Sequence, residues 1–151
     1  MEELDAIENK PAASVTKFAW AAVVFALVGL SDSVYLTVQH FTDEKVPCSI
    51  ITGCEQVLTS EYAEISGIPT AAFGAIAYFL VFALALLAAF GNRRLWFFYG
   101  LLVGLMFLFT MWLVYLQAFV IEAFCQFCLL SALTTTALFV IALVSKFWTY
   151  K

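Results

Sequence analysis

The fold is decided by residues 95–145, which read LWFFYGLLVGLMFLFTMWLVYLQAFVIEAFCQFCLLSALTTTALFVIALVS. These 51 residues contain one charged side chain, that of Glu122. As a single helix the stretch would be roughly 76 Å long, more than twice the ~30 Å thickness of the hydrocarbon core of a bilayer. We therefore predict two membrane-spanning helices here, joined by a turn near Glu122.

The composition of the whole chain also indicates a membrane protein. Of its 151 residues, 64% are hydrophobic and 12% are charged, and the mean hydropathy is +0.98. Soluble domains are roughly 45–50% apolar and about 25% charged, so a chain of this length could not bury these side chains without lipid around them. The apolar content excludes disorder and a secreted disulfide scaffold, and the net charge of −4 argues against a nucleic-acid partner.

Two further apolar segments, residues 18–38 and 68–90, are each long enough to cross a bilayer. The predicted fold is an all-α integral membrane four-helix bundle, with an extracytoplasmic loop or half-helix cap between the first two helices. Its spans are expected at about 17–39, 68–90, 95–121 and 125–146, within one domain over 17–147. Polar tails are expected over residues 1–16 and 148–151.

The distribution of basic residues predicts the orientation of the bundle. With four spans, both termini and the second connection lie on one side of the membrane. That side holds six of the seven basic residues, and the other side holds only Lys45 beside several acidic residues. The positive-inside rule then predicts that both termini are cytoplasmic. The membrane is expected to be the cell's inner membrane. The six basic residues are Lys10, Lys17, Arg93, Arg94, Lys146 and Lys151.

All four cysteines fall on the predicted outer side. Cys48 and Cys54 lie in the long loop, and Cys125 and Cys128 open the fourth helix. An extracytoplasmic location is oxidising and permits disulfide chemistry. Four cysteines allow three pairings, and the sequence alone does not choose among them.

The segment Cys125-Gln126-Phe127-Cys128 is a CxxC motif at a helix N-terminus. Positions i and i+3 share a helix face, so the two sulfur atoms can bond or separate after small adjustments. The helix dipole favours a thiolate there, which is the reactive form. Two alternatives remain: a tetraspan scaffold or channel held by two static disulfides, and a zinc site. The C-x5-C spacing of the loop fits neither common zinc knuckle, and no metal is expected.

Several stretches together resemble the vitamin K epoxide reductase family, of prokaryotic type, from about residue 18 to residue 147. The order and spacing of these stretches all agree with the family. They are Ser33–Thr37, Cys48–Ile50, Cys54–Ser60, Gly67–Pro69, Phe73–Gly74, Val114–Leu116 and Phe124–Cys128. Another four-helix family, of quinone-linked thiol oxidases, carries its CxxC near the first outer loop. In this sequence the first loop has C-x5-C and the CxxC opens the fourth helix, so that family fits less well.

The resemblance implies a quinone-dependent thiol–disulfide oxidoreductase. Cys125 and Cys128 would be the active-site pair, with Cys128 facing a quinone of the ubiquinone or menaquinone (vitamin K) type. Cys48 and Cys54 would be the shuttle pair, and Cys54 would attack Cys125. Some bacterial members of the family carry a fused thioredoxin-like domain. This sequence ends at Lys151 without one, so the resemblance implies that its partner is an extracytoplasmic thioredoxin-fold thiol protein acting in trans. Reduction of vitamin K epoxide is a further activity that the family makes plausible.

Seven residues are candidates for the quinone pocket, which needs an apolar slot with one or two hydrogen-bond donors. Ser60, Phe73 and Tyr78 match family positions. Leu113, Gln117 and Ile121 recur at i, i+4 and i+8 on one face of the third helix. Thr70 and Gln117 are selected for their polarity. Packing between helices is the alternative role for the six residues on the helices, and for Ser60 the alternative is an ordinary polar surface residue.

Asp32 is the only ionisable residue well within a span, predicted about 10 Å below the outer end of the first helix. Intramembrane carboxyl groups are functional candidates, and a proton relay is one role. The other is a neutral group bonded to Ser31, Ser33 or a neighbouring helix. His40 is expected to be an interfacial anchor. Residues 54–65 show helical spacing of apolar side chains, so they are expected to form a half-buried helical cap.

Overall fold

The computed structural model describes residues 13–149, and four long helices account for most of them. They are α1 (Ala13–Thr42), α3 (Thr70–Ala89), α4 (Arg93–Phe119) and α5 (Gln126–Thr149). Each contains a segment long and apolar enough to cross a membrane. The predicted all-α four-helix membrane bundle is therefore confirmed.

Small buried residues line the contact between α1 and α3 in the core of the bundle. Both α1 and α4 pack against α3 and α5. Ala22 and Ala26 on α1 are fully buried in one cluster with Tyr78 and Val81 on α3. Small side chains let two helix backbones approach closely, which is how helices associate in lipid, where apolar burial provides no driving force. The outer surface stays apolar, as on α4, where Phe97 is 72% exposed.

The connection between α1 and α3 contains a short helix and a small hairpin. Helix α2 spans Cys54–Leu58, and strands β1 (Glu64–Ile65) and β2 (Ile68–Pro69) pair antiparallel. The turn between the strands has positive φ at Ser66 (56°) and Gly67 (82°), as in a type I′ hairpin.

The prediction of a helical cap over residues 54–65 is wrong beyond Leu58. Ser60 Oγ donates to Val57 O at 2.7 Å, and the Thr70 N–H donates to Ala63 O at 2.8 Å. These bonds turn the chain away from the helix axis and into the hairpin. Tyr62 and Ile65, expected on the buried face of the cap, are about half exposed as a result.

The helix ends differ from the expected spans by a few residues. Helix α1 already includes residues 13–16, and α5 continues to Thr149, so the predicted tails begin further out, and residues 1–12 and 150–151 lie outside the described residues. Helix α3 starts at Thr70 because Pro69 pairs in β2. The turn near Glu122 is present, and Glu122 itself adopts φ 55°, which lets the chain reverse without glycine or proline.

Candidate active site

The four cysteines meet at one end of the bundle. Cys48 and Cys54 form a disulfide with a Cα–Cα distance of 6.2 Å, and Cys125 and Cys128 are free thiols. Cys54 and Cys125 are both fully buried and belong to one cluster, against which Cys48 and Cys128 pack. The loop pair and the CxxC pair are therefore neighbours, although 71 positions separate Cys54 from Cys125 in sequence.

Gly53 allows the loop to lie directly against the turn that precedes α5. A Cβ atom at this position would stand 2.7 Å from Phe124 O and 2.9 Å from Phe124 N. Both are backbone atoms, so no side-chain rotation could relieve the contact. The absence of a side chain at Gly53 therefore brings Cys54, its neighbour in sequence, up to Cys125, the neighbour of Phe124.

Two glutamine side chains hold this arrangement by hydrogen bonds to backbone. Gln126 Oε1 accepts a bond of 3.2 Å from the Ile50 N–H, which ties the loop to the first residue of α5. Gln117 Oε1, on α4, accepts a bond of 3.2 Å from the Cys125 N–H. Cys125 is thereby fixed from two sides before α5 begins. The sequence alone does not reveal the roles of Gly53 and Gln126, since both depend on the position of the loop.

The environment of Cys125 favours its thiolate. A hydrogen bond from the Cys128 thiol lowers the pKa of the Cys125 thiol to about 7, against opposing effects of burial and of the negative charge of Asp32. The thiolate is the form that attacks a disulfide. Cys125 is therefore reactive near neutral pH.

A cavity of about 800 Å³ extends from the cysteines between the four helices, beneath the loop. Of the four cysteines, all of which lie in the described part of the chain, Cys128 alone lines it. Its volume is within the range of small-molecule sites. All seven residues predicted for the quinone pocket line this one cavity: Ser60, Thr70, Phe73, Tyr78, Leu113, Gln117 and Ile121.

The hydroxyl groups among these seven are already occupied by protein. Ser60 Oγ donates to Val57 O, and Thr70 Oγ1 donates to the carbonyl oxygens of Tyr62 and Ala63. Tyr78 Oη donates to Ser131 O at 2.8 Å and contacts further hydroxyl groups of α5. These three side chains therefore shape the cavity and join its walls.

Gln117 differs from the three hydroxyl residues, because one end of its amide remains available. Its oxygen accepts from the Cys125 N–H, while its Nε2 donates no hydrogen bond to the described part of the protein. Gln117 therefore lines the cavity, is hydrogen-bonded to Cys125, and keeps an amide N–H available as a donor.

Asp32 reaches the same cavity from α1. It is 7% exposed, and neither carboxyl oxygen has a hydrogen-bond partner among the described residues. The expected bond to a neighbouring serine is not present, because Ser31 Oγ donates to Leu27 O instead. Since α1 continues to Thr42, Asp32 lies about 15 Å below the end of the helix, deeper than predicted.

Charged residues surround the mouth of the cavity. His40 Nε2 lies 3.2 Å from Glu64 Oε1, which joins the end of α1 to β1, and Lys45 Nζ lies 3.5 Å from Glu55 Oε1. His40 thus connects the end of α1 to β1. Within residues 13–149 there is no group of three or more His, Cys, Asp or Glu side chains that could hold a metal ion.

Comparison with known protein families agrees with this geometry. Residues 20–143, which include all four helices, the loop and the four cysteines, match the model of the Vitamin K epoxide reductase family. Family membership carries a general role in thiol–disulfide or quinone-linked redox chemistry, and the four apolar helices make the protein a multi-pass membrane protein. Because the match covers most of its length, the chain belongs to the vitamin K epoxide reductase family.

Proposed function

We propose that the protein oxidises an extracytoplasmic thioredoxin-fold thiol protein and passes two electrons to a membrane quinone, supporting disulfide formation in exported proteins. The observation that carries this proposal is the arrangement of the cysteines. One pair lies in the loop, the other begins α5, and Cys128 of the second pair lines the 800 Å³ cavity. Thiols can thus enter at one end of the cluster, and an electron acceptor can be reduced at the other.

The exchange between the two pairs proceeds by ordinary thiol–disulfide chemistry. When Cys125 and Cys128 are disulfide-bonded, the Cys54 thiolate attacks Cys125 Sγ, forming a Cys54–Cys125 disulfide and releasing Cys128. Cys48 then attacks Cys54, which restores the Cys48–Cys54 disulfide and releases Cys125 as a thiolate. The covalent state of the structure, with the loop pair oxidised and the CxxC pair reduced, is the product of this exchange.

The cavity supplies the acceptor side of the reaction. A quinone of the ubiquinone or menaquinone type takes up two electrons and two protons when it is reduced. The apolar walls of the cavity suit its ring and tail, and Phe73, Leu113 and Ile121 contribute apolar surface. Gln117 Nε2 is positioned to donate a hydrogen bond to a carbonyl oxygen there, and the same side chain orients Cys125. Cys125 and Cys128 then close to a disulfide.

The proposed orientation places the cysteines on the extracytoplasmic side of the inner membrane and both termini in the cytoplasm. Lys17, Arg94 and Lys146 lie at the opposite end of the bundle from the cysteines, as the positive-inside rule requires. An oxidising exterior also fits a loop disulfide. The thiol partner then approaches the loop from the aqueous phase, while quinone arrives through lipid.

The experiment that tests this proposal is quinone reduction by the purified protein. A short-chain quinone is supplied with dithiothreitol or a reduced thioredoxin-fold protein, and its absorbance is followed. We expect turnover by the wild type and by Ser49→Ala, an exposed loop variant that keeps every cysteine. Cys125→Ala and Cys128→Ala should each abolish turnover, and vitamin K epoxide can be offered as an alternative acceptor.

A static scaffold or channel predicts a different result. Its disulfides would persist in mild reductant, and its cysteine variants would not affect quinone absorbance. Full activity of Cys128→Ala would contradict the proposed chemistry, since this cysteine is the one that meets the cavity.

A further inference from the structure

We propose that the carboxyl group of Asp32 carries a proton between the Cys128 thiol and the electron acceptor in the cavity. This inference rests on the proposed function and adds to it the route of the proton. It assigns chemistry to a buried group that thiol–disulfide exchange between the cysteine pairs does not use.

Asp32 makes no hydrogen bond to the described part of the protein through either carboxyl oxygen. Its side chain lines the cavity, is 93% buried, and has no partner for either oxygen among residues 13–149. Buried polar groups in proteins are almost always hydrogen-bonded, and each exception requires an explanation. A carboxyl group that supported the bundle would be bonded to a neighbouring helix, as Tyr78 is to α5. Asp32 makes no such bond, so its carboxyl group is free to interact with a molecule inside the cavity.

The second argument is the position of Asp32 among the titratable groups of the cavity. On α5, the element packed against α1 nearest the site, the titratable group is Cys128, and on α3 it is Tyr78, whose hydroxyl is bonded to α5. Helix α4 contributes only uncharged residues to the lining. The remaining charged or titratable lining groups belong to the mouth and the loop: His40, Asp43, Glu44, Lys45, Glu55, Tyr62 and Glu64. Among the described residues, Asp32 is therefore the only carboxyl group that the four long helices contribute to the cavity wall.

The third argument is electrostatic proximity to the thiol pair. When Asp32 is deprotonated, its negative charge opposes the lowering of the Cys125 thiol pKa, which is caused mainly by the hydrogen bond from Cys128. The carboxyl group is thus close enough to the CxxC pair for its charge to affect it. An unpaired carboxylate is costly in an apolar interior, so the protonated acid is the resting form that the cavity tolerates.

The proton balance of the reaction requires such a carrier. Closing the disulfide from the Cys125 thiolate and the Cys128 thiol releases two electrons and one proton, whereas reducing a quinone to a quinol consumes two electrons and two protons. In this scheme Asp32 passes on the proton of Cys128, and the second proton comes from water at the mouth of the cavity. Asp32 gives its proton to a quinone oxygen and receives the proton of Cys128, which returns it to its starting state. Positioned acid–base groups of this kind typically contribute 10²–10⁴-fold to a rate.

The test compares Asp32→Asn with Asp32→Glu, and uses Ser31→Ala as a matched control. Ser31 is the exposed neighbour of Asp32 and lies outside the cavity lining. Steady-state quinone reduction gives kcat and KM for each variant. Reduction of the Cys48–Cys54 disulfide by dithiothreitol reports whether the loop that contains this disulfide is intact. We expect Asp32→Asn to lower kcat about 100-fold with the quinone KM nearly unchanged. Asp32→Glu should restore most of kcat, and Ser31→Ala should resemble the wild type.

A second readout does not depend on quinone turnover. Infrared difference spectra between the dithiol and disulfide states of Cys125 and Cys128, obtained with a chemical oxidant, detect protonated carboxyl groups. We expect a carboxyl carbonyl band that shifts with the redox state of the cysteines in the wild type and is missing in Asp32→Asn.

Each outcome separates this inference from the proposed function. Wild-type kcat in Asp32→Asn, a rise in KM alone, equal loss in Asp32→Asn and Asp32→Glu, or no carboxyl band would each overturn the role of Asp32 alone. A wild-type protein that reduces no quinone would instead overturn the proposed function and this inference with it.

Discussion

Replacing Gly53 with alanine should slow electron transfer between the two cysteine pairs without affecting reduction of the acceptor. The φ of Gly53 is −95°, which alanine adopts readily, so the substitution introduces no backbone strain. The added Cβ would instead meet Phe124 O at 2.7 Å, below the 3.4 Å at which ordinary contact begins. The loop must therefore retreat by about 0.7 Å from the turn that carries Cys125.

The size of the effect follows from this displacement. Misplacing reacting groups by ~1 Å costs on the order of 10²-fold in rate, so we expect the exchange between Cys54 and Cys125 to slow about 10–100-fold. Quinone reduction by protein whose CxxC pair has been reduced beforehand should stay at the wild-type rate, because Cys128 and the cavity are not displaced.

Trapping of the mixed disulfide measures this exchange directly. In a Cys48→Ala background, Cys54 has no resolving partner and should accumulate as Cys54–Cys125, which peptide mapping under non-reducing conditions detects. Adding Gly53→Ala should reduce the rate of accumulation, whereas adding Thr52→Ala, at an exposed neighbouring position, should not. Equal accumulation in all three proteins would refute the argument that the close backbone approach at Gly53 positions Cys54.

Two further predictions concern packing and protonation. Gly29→Ala places a Cβ against the ring of Tyr78, so thermal unfolding in detergent should show a loss of about 1–3 kcal/mol, while Gly100→Ala, with nothing within 4 Å, should cause no loss. The thiolate absorbance of Cys125 should rise through about pH 7, and Cys128→Ala should move this midpoint to higher pH because it removes the hydrogen bond that lowers the pKa. An unchanged midpoint in Cys128→Ala would mean that another group stabilises the thiolate.

The sequence was sufficient to predict the helices because their signal is physical and redundant. A stretch of 51 residues with one charge must cross the bilayer twice, whatever its detailed packing. The turn at Glu122 could be located only loosely, because a non-glycine residue with positive φ leaves no mark in the sequence. The hairpin after α2 was missed for a related reason: it depends on bonds such as Thr70 to Ala63, which join residues from separate segments.

The cysteines and the cavity residues could also be identified in advance, but their contacts could not. CxxC spacing identifies Cys125 and Cys128, and the i, i+4, i+8 pattern selects one face of α4. The approach of Gly53 to Phe124 depends on the position of the loop, which the sequence does not specify. The bond between Gln126 and Ile50 likewise joins residues 76 positions apart. Such contacts determine how the site is held, whereas the residue types determine only what chemistry is available.

Hydrogen bonding separates the structural polar residues of this membrane interior from those available for chemistry. In lipid, a polar side chain without a partner is costly, so most of them are bonded to neighbouring segments. Thr70 and Tyr78 follow this rule, and their hydroxyl groups hold the cap and α5 in place. Gln117 follows it in part, and Asp32 does not follow it at all. Polarity and position made all four residues candidates for the pocket or for proton transfer, and the unsatisfied groups among them are the ones that a quinone and its protons can use.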